Sequence, residues 1–247
     1  MRILIFGGTT EGRKLSRALA EKGALVTVCV ATEYGAEEQG EFPNICVLMG
    51  RKNMEEMKEL LSHQELCIDA THPYAVEVTK NLKQACAEKN VSYLRLLREE
   101  STFVKGAVYV NTAEQAAFFL KQTKGNILLA TGAKELTAFR NLERERIYPR
   151  VLPAVENLIL CEGEGIPRRN IIALQGPFGQ ALNEAIMEQF TIRYMVTKDG
   201  GNAGGFLEKI LAAQKMKVKI IIIRRPAESG KTYEEILKIS EEMMGCR

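Results

Sequence analysis

Apolar residues in this chain come in short unbroken runs separated by helically spaced stripes. Ile3 to Phe6, Leu25 to Val30, Ile45 to Leu48, Leu66 to Asp69 and Ser92 to Leu96 read as strands buried on both faces. Between them, Glu11 to Lys22 puts Leu15, Ala18 and Leu19 on one helical face and stops at Gly23. Asn53 is placed to cap a helix through Leu61, and another helix spans Ala75 to Lys89. Ala31 to Phe42, with an acidic cluster and two glycines, is expected to be irregular.

Around Arg98 to Gly106 the pattern turns charged and polar, which marks a connection between domains. The alternation then resumes. Strands are expected at Val108 to Val110, Asn126 to Ala130, Asn170 to Leu174, Ile192 to Thr197 and Lys219 to Ile223. Ile147 to Arg150 reads as an edge strand or a strand end, because Pro149 cannot donate to a ladder. Helices are expected from Thr112 to Lys121, from Lys134, around Asn157 to Cys161, from Gly179 to Gln189, from Ala203 to Gln214 and from Thr232 to Met244. Strands alternating with helices over short links predict parallel sheets. The fold class is therefore α/β: two Rossmann-like domains, residues 1–100 and 101–247, each a parallel sheet flanked by helices, with an active-site cleft between them.

Composition narrows the function. The chain has 247 residues, 46% of them hydrophobic, enough for two cores. Its 34 Lys and Arg against 31 Asp and Glu leave a net charge of +3, too balanced to argue for nucleic acid. The longest aliphatic run, Ile220 to Ile223, is too short to span a bilayer, and the first residues enter a strand without a signal-peptide pattern. The six cysteines form no C-x-x-C pair, and Cys29, Cys46 and Cys67 lie in strand-like runs where core packing is expected. A cytoplasmic protein is the expectation. The two histidines, His63 and His72, lie too far apart to suggest a metal site.

In parallel sheets ligands bind beyond the carboxyl ends of the strands, so the chemistry is sought in those loops. The first is Gly7-Gly-Thr-Thr-Glu-Gly-Arg13. Thr9 or Thr10 can cap the following helix, and Glu11 suits its positive end. Strand, glycine turn and helix start present backbone N–H groups to an anion. The loop is not G-x-G-x-x-G, since Thr9 stands at the second glycine, and the nearest carboxylate after strand two is Glu33. A nucleotide with a 2′-phosphate, or an acidic substrate, suits it better than one with a free ribose 2′-hydroxyl. A plain capped turn is the competing reading.

The loop Asp69-Ala-Thr-His-Pro-Tyr74 carries His72, held extended by Pro73. Its imidazole can donate a proton or pair with a carboxylate, and Tyr74 adds a ring and a hydroxyl. The bland alternative is a histidine bonded to a turn. The second half adds Thr131-Gly-Ala-Lys134, Arg150, Gln175-Gly-Pro-Phe178, the glycine-rich Thr197 to Gly205, and Arg224-Arg225. Strand-end positions bring Lys134, Arg150, Lys198, Arg224 and Arg225 to one sheet edge, which favours a polyanionic ligand. No G-x-S-x-G elbow and no P-loop occurs.

Taken together and in order, Ile5 to Arg13, Asp69 to Ala75, Tyr148 to Arg150, Gln175 to Phe178, Thr197 to Gly201 and Arg224 to Pro226 resemble the precorrin-6A reductase family of corrin biosynthesis, including its cobalt-precorrin-6A members. In one departure, a serine expected near Gly200 is absent. The resemblance implies an NADPH-dependent reductase that saturates one ring double bond of a tetrapyrrole, by hydride from the nicotinamide plus a proton. It implies His72, Tyr74, Lys198 and Asp199 as catalytic candidates. Gly8, Thr9, Thr10, Gly132, Lys134, Thr197, Lys198, Gly200, Gly201 and Arg225 are the cofactor candidates, the set in the second half being preferred. Thr10, Glu11, Arg13, Thr71, His72, Arg150, Gln175 and Phe178 are the substrate candidates. A monomer or weak homo-oligomer is expected. A non-catalytic NAD(P)-sensing module and an S-adenosylmethionine-dependent tetrapyrrole methyltransferase are the alternatives.

Overall fold

The computed structural model describes residues 1–98, 103–200 and 205–245. The chain divides into two units, Met1–Glu99 with Ala227–Arg247, and Glu100–Pro226. In the first unit, β1 (Arg2–Phe6), β2 (Leu25–Val30), β3 (Ile45–Met49), β4 (Leu66–Asp69) and β5 (Ser92–Arg95) form one sheet ordered β3-β2-β1-β4-β5. Every pairing in it is parallel. The crossovers run through α1 (Thr10–Glu21), α2 (Glu33–Gln39), α3 (Met54–Leu61) and α4 (Val76–Lys89).

The unbroken apolar run of β1 follows from its central place. Ile3 and Ile5 join Leu15 and Leu19 of α1 in one core, while Leu4 and Phe6 join Met57, Leu61 and Leu82 in the core on the opposite face. Alternate residues of a strand face opposite sides, so a strand covered on both sides must be apolar at every position.

In the second unit, β6 (Val108–Val110) leads to α5 (Ala113–Lys121), and β7 (Asn126–Ala130) to a 3₁₀ helix over Ala133–Phe139. Next come β8 (Ile147–Val151), α6 (Val155–Gly163), β9 (Ile172–Ala173), α7 (Gln180–Gln189), β10 (Ile192–Lys198), α8 (Phe206–Lys215) and β11 (Lys219–Ile223). The strands order as β6-β11-β10-β7-β8-β9, again all parallel. Leu128, Met195, Ile220 and Ile222 meet Ile186 of α7 and Ile210 of α8 in its core.

Four expectations change. Residues 33–39 form a helix rather than an irregular stretch, because Thr32 caps Gly35 N–H at 3.1 Å and the buried Gln39 amide donates to Ser16 of α1 at 2.9 Å. β8 is not an edge. It pairs with β7 through Ile147 to Pro149 and with β9 from Arg150 onward, so Pro149 sits where one ladder hands over to the next. Cys46 on the edge strand β3 is exposed, unlike the buried Cys29 and Cys67.

The fourth change concerns the end of the chain. The last helix, α9 (Tyr233–Gly245), belongs to the first unit rather than to a domain ending at residue 247. Ile236 is fully buried against the α1 side of that core, and Lys22 pairs with Glu241 at 2.6 Å. The approach to α9 bridges β5: Lys231 N–H donates to Arg95 O, and Leu97 N–H to Lys231 O, both at 2.9 Å. A side chain at Gly230 would begin 2.5 Å from Arg95 O, so glycine is required there. Ile236→Ala is expected to cost about 2–5 kcal/mol, the usual range for emptying a well-packed site. Denaturant unfolding of the purified variant checks this, and a loss under about 1 kcal/mol would show that α9 is not integral to the core.

Candidate functional site

The strand orders place one crevice in each unit. In the first it lies between β1 and β4, and in the second between β7 and β10, where the strand order reverses direction.

At the first crevice, Thr9 is the cap and Thr10 the first helical residue. The Thr9 hydroxyl accepts from Gly12 N–H at 3.1 Å and donates to Ala70 O at 3.0 Å, tying the loop after β1 to the end of β4. Gly8 sits at φ +106°, a conformation that favours glycine, and Gly12 packs so closely on Ala70 that a side chain would begin 2.8 Å from its Cβ. Glu11 accepts from Arg98 at 3.0 Å, and Arg13 pairs with Glu38. A cavity of about 340 Å³ opens beside Gly8, Thr10 and Arg13, walled by Thr32 and Tyr34. The charged residues of this loop are thus matched within the protein.

Asp69 is fully buried at the end of β4. One of its oxygens accepts from Arg95 at 2.6 Å, from the Thr71 hydroxyl at 2.7 Å and from Thr71 N–H at 3.1 Å. The other accepts from Thr79 at 2.7 Å and Tyr93 at 2.9 Å. Burial, and then the Asp69 charge, push the Tyr93 phenol well above its ordinary range. Arg95 also reaches Glu228 at 2.8 Å, bringing the returning chain into the same network. Thr71, a substrate candidate in the sequence, is buried and spends its hydroxyl here.

This knot anchors the loop that carries His72. His72 is exposed, and its ring stacks on Tyr74 with centroids 5.4 Å apart. Nδ1 accepts from Tyr74 N–H at 3.4 Å, so the neutral ring carries its proton on Nε2.

At the second crevice, Gly132 opens the 3₁₀ helix at φ +83° with open space where a side chain would stand, and the buried Thr131 hydroxyl has no hydrogen-bond partner among the described residues. Lys198 pairs with Glu135 at 2.6 Å, and Arg225 approaches Asp199 at 4.0 Å. Gly200 also faces open space, while Gly201 lies outside the described residues. Lys134 and Gln175 are exposed. Arg224 stands over the Tyr109 ring at 5.3 Å. The five cations expected to share one rim are therefore in different states: two are paired with acids, one rests on an aromatic face and one is exposed.

The fifth, Arg150, is only 7% exposed. Its guanidinium lies 4.3 Å over the Phe178 ring and donates to Asn183 Oδ1 at 2.7 Å. Burial brings it down to about 10. Sequence reasoning missed its neighbours. Asn183, fully buried, is held by Phe178 O and Gly179 O at 3.3 and 2.9 Å. Lys209 of α8 donates to the buried Thr197 hydroxyl at 3.1 Å. Burial, and then the Arg150 charge, pull Lys209 down to about 8, against a smaller upward pull from Glu208. Lys209 lies inside a helix rather than in a strand-end loop, and its only signal was a cation close to a helix N-terminus, where the dipole disfavours it.

Two outcomes test this electrostatic picture. Arg95→Leu leaves the Asp69 carboxylate buried without its cation and is expected to lower stability by about 3–5 kcal/mol, read by denaturant unfolding. A loss near zero would mean that Asp69 does not depend on Arg95. Between about pH 8 and 10.5 the folded chain has released the Lys209 proton while the unfolded chain still holds it, so Lys209 costs the fold least at high pH. Lys209→Met is therefore expected to melt higher than the wild type at pH 7.5, with the gap closing by pH 10. A gap constant across that range would sink the assignment.

Comparison with known proteins fits this arrangement. The model of the family described as precorrin-6x reductase CbiJ/CobK matches residues 2–241. A cobalt-precorrin-6A reductase of Priestia megaterium is 35% identical over 246 residues, covering 95% of this chain and 96% of that protein. One from Salmonella typhimurium is 32% identical over 230 residues, covering 91% and 87%. A solved structure of a CobK precorrin-6A reductase has the same fold, with a TM-score of 0.77, 24% identity and coverage of 98% and 96%. With residues 2–241 matched by the family's model and a relative 35% identical over 95% of the chain, the chain belongs to the precorrin-6x reductase CbiJ/CobK family.

Proposed function

We propose that the chain reduces one ring double bond of cobalt-precorrin-6A to give cobalt-precorrin-6B, using NADPH, in cobalamin biosynthesis. The observation that carries this reading is the family match over residues 2–241. The relatives with 35% and 32% identity are both named for the cobalt form, which supports a cobalt-containing substrate.

The residues of the second crevice suit a nucleotide. Gly132 and Gly200 leave the backbone open to close approach, and the Thr131 hydroxyl has no partner among the described residues. In this reading Thr131, Gly132, Gly200 and the cations Lys198 and Arg225 hold the cofactor. When bound, NADPH supplies the hydride. In the first unit the Thr9 hydroxyl spends both its donor and its acceptor inside the protein, whereas the Thr131 hydroxyl has no partner among the described residues, which supports a cofactor in the second.

The chain's own part is positioning and proton supply. Arg150 and Phe178 offer a cation and a ring face to a macrocycle rimmed with carboxylates. His72 presents a proton on Nε2 beside the Tyr74 ring, on a loop whose anchor is the satisfied Asp69. Lys198 and Asp199, each close to an opposite charge, are the second pair able to hold that proton.

The purified protein is expected to consume NADPH only when cobalt-precorrin-6A is present, followed as loss of reduced-nicotinamide absorbance. His72→Ala should keep its melting temperature and lose about 10²–10⁴-fold in kcat, the usual share of a positioned proton donor. Nucleotide binding without substrate-dependent oxidation would instead make the chain a sensor. Methyl transfer from S-adenosylmethionine would make it a methyltransferase.

A further inference from the structure

Arg150 and Lys209 form an arrangement that the stability of the second unit does not explain. Arg150 is buried, and its polar neighbour is the neutral Asn183 amide; the hydrogen-bond partner of Lys209 is the neutral Thr197 hydroxyl. Among the described residues neither has a carboxylate oxygen within 4 Å, in contrast with Lys198 and Arg225 on the same sheet edge. Residues 201–204, just before α8, contain no Asp or Glu. Glu208 lies next to Lys209 in sequence, yet its buried Oε2 has no hydrogen-bond partner. Removing a cation from water without a counter-charge is costly, and each of these two raises the cost of the other.

Their setting adds to that cost. Lys209 stands in the first turns of α8, the guanidinium of Arg150 lies over Phe178, just before α7, and the two sites meet at Phe178: a side chain at Gly205, the cap of α8, would begin 3.5 Å from Phe178 O. Both positions lie near the positive ends of helices. A buried and a half-buried cation near two helix N-termini make a concentrated positive potential, and the chemical class that relieves it is an oxyanion. The planar guanidinium suits two oxygens of one group, and the ammonium has N–H bonds beyond the one spent on Thr197.

We propose that Arg150 and Lys209 form one oxyanion-binding subsite that takes a carboxylate or phosphate group, with Thr197 as the positioning residue that aims Lys209. This rests on the reductase reading above, whose two ligands carry just these groups: carboxylates on the macrocycle and phosphates on the nucleotide. Neither source is assigned in advance; the shared chemistry is the proposal.

The experiment compares the wild type with Lys209→Met and Lys209→Arg. Added inorganic phosphate is expected to raise the wild-type melting temperature, and Lys209→Met to lose that rise while Lys209→Arg keeps it. NADPH and NADH are then titrated by nicotinamide fluorescence, and KM is measured for cobalt-precorrin-6A. A tenfold or greater loss for NADPH alone supports the subsite and assigns the 2′-phosphate. Equal losses for both nucleotides support it and assign the pyrophosphate. Unchanged nucleotide binding with a tenfold or greater rise in KM supports it and assigns a substrate carboxylate. A folded Lys209→Met that matches the wild type in the phosphate shift, both titrations and KM overturns the proposal. If the wild type neither binds NADPH nor reduces the tetrapyrrole, the reductase reading fails, and the phosphate shift with its loss in Lys209→Met still decides the subsite.

Discussion

The first unit depends on a single buried carboxylate. Asp69 has no exposure, and a charge there survives only because five hydrogen-bond donors, the Arg95 cation among them, surround it. Those donors come from the loop that follows it, from α4 and from β5, and Arg95 passes the interaction on to Glu228. One acid therefore fixes the end of a central strand, the loop bearing His72 and the return of the chain from the second unit. Such a network is cooperative, since removing any member leaves the others desolvated and short of a partner.

The two crevices solve the same problem differently. In the first, the strand-end loop is closed by its own chemistry: Thr9 caps and ties, and Glu11 and Arg13 are neutralised. In the second, polar capacity is left over, in the Thr131 hydroxyl and in cations held by neutral groups. Local rules of stability are broken most at sites kept for a ligand, which is why the second crevice draws more of the chemistry.

Much of the fold was legible because parallel sheets are written in continuous apolar runs. Ile3 to Phe6 could be read as a buried parallel strand with no partner in view, and Asn53 as the cap of the next helix; the structure adds Glu56, which completes a capping box. Short elements were harder to read. α2 depends on a contact between Gln39 and Ser16 that no local pattern announces, and β9 keeps only two residues. At the site, loop motifs such as Asp69 to Tyr74 stood out because turn chemistry and reactive side chains coincide there. The partners that give them meaning did not: Arg95 and Glu228 are distant in sequence, and Lys209 looks like any helix lysine until the fold sets it on Thr197 near the Arg150 charge.

The returning tail has a consequence for how the protein is made. The second unit is continuous in sequence, so all its strands have been synthesised before residue 227 is added. β1 to β5 of the first unit precede the second unit, yet they lack α9 and the Lys231 bridge until residues 231–245 have been added. Until then, the apolar surface that Ile236 covers lies open on a nascent sheet. The part translated first is thus the last to be completed, and the segment most exposed to misassembly during synthesis is the one bearing the glycine loop and His72.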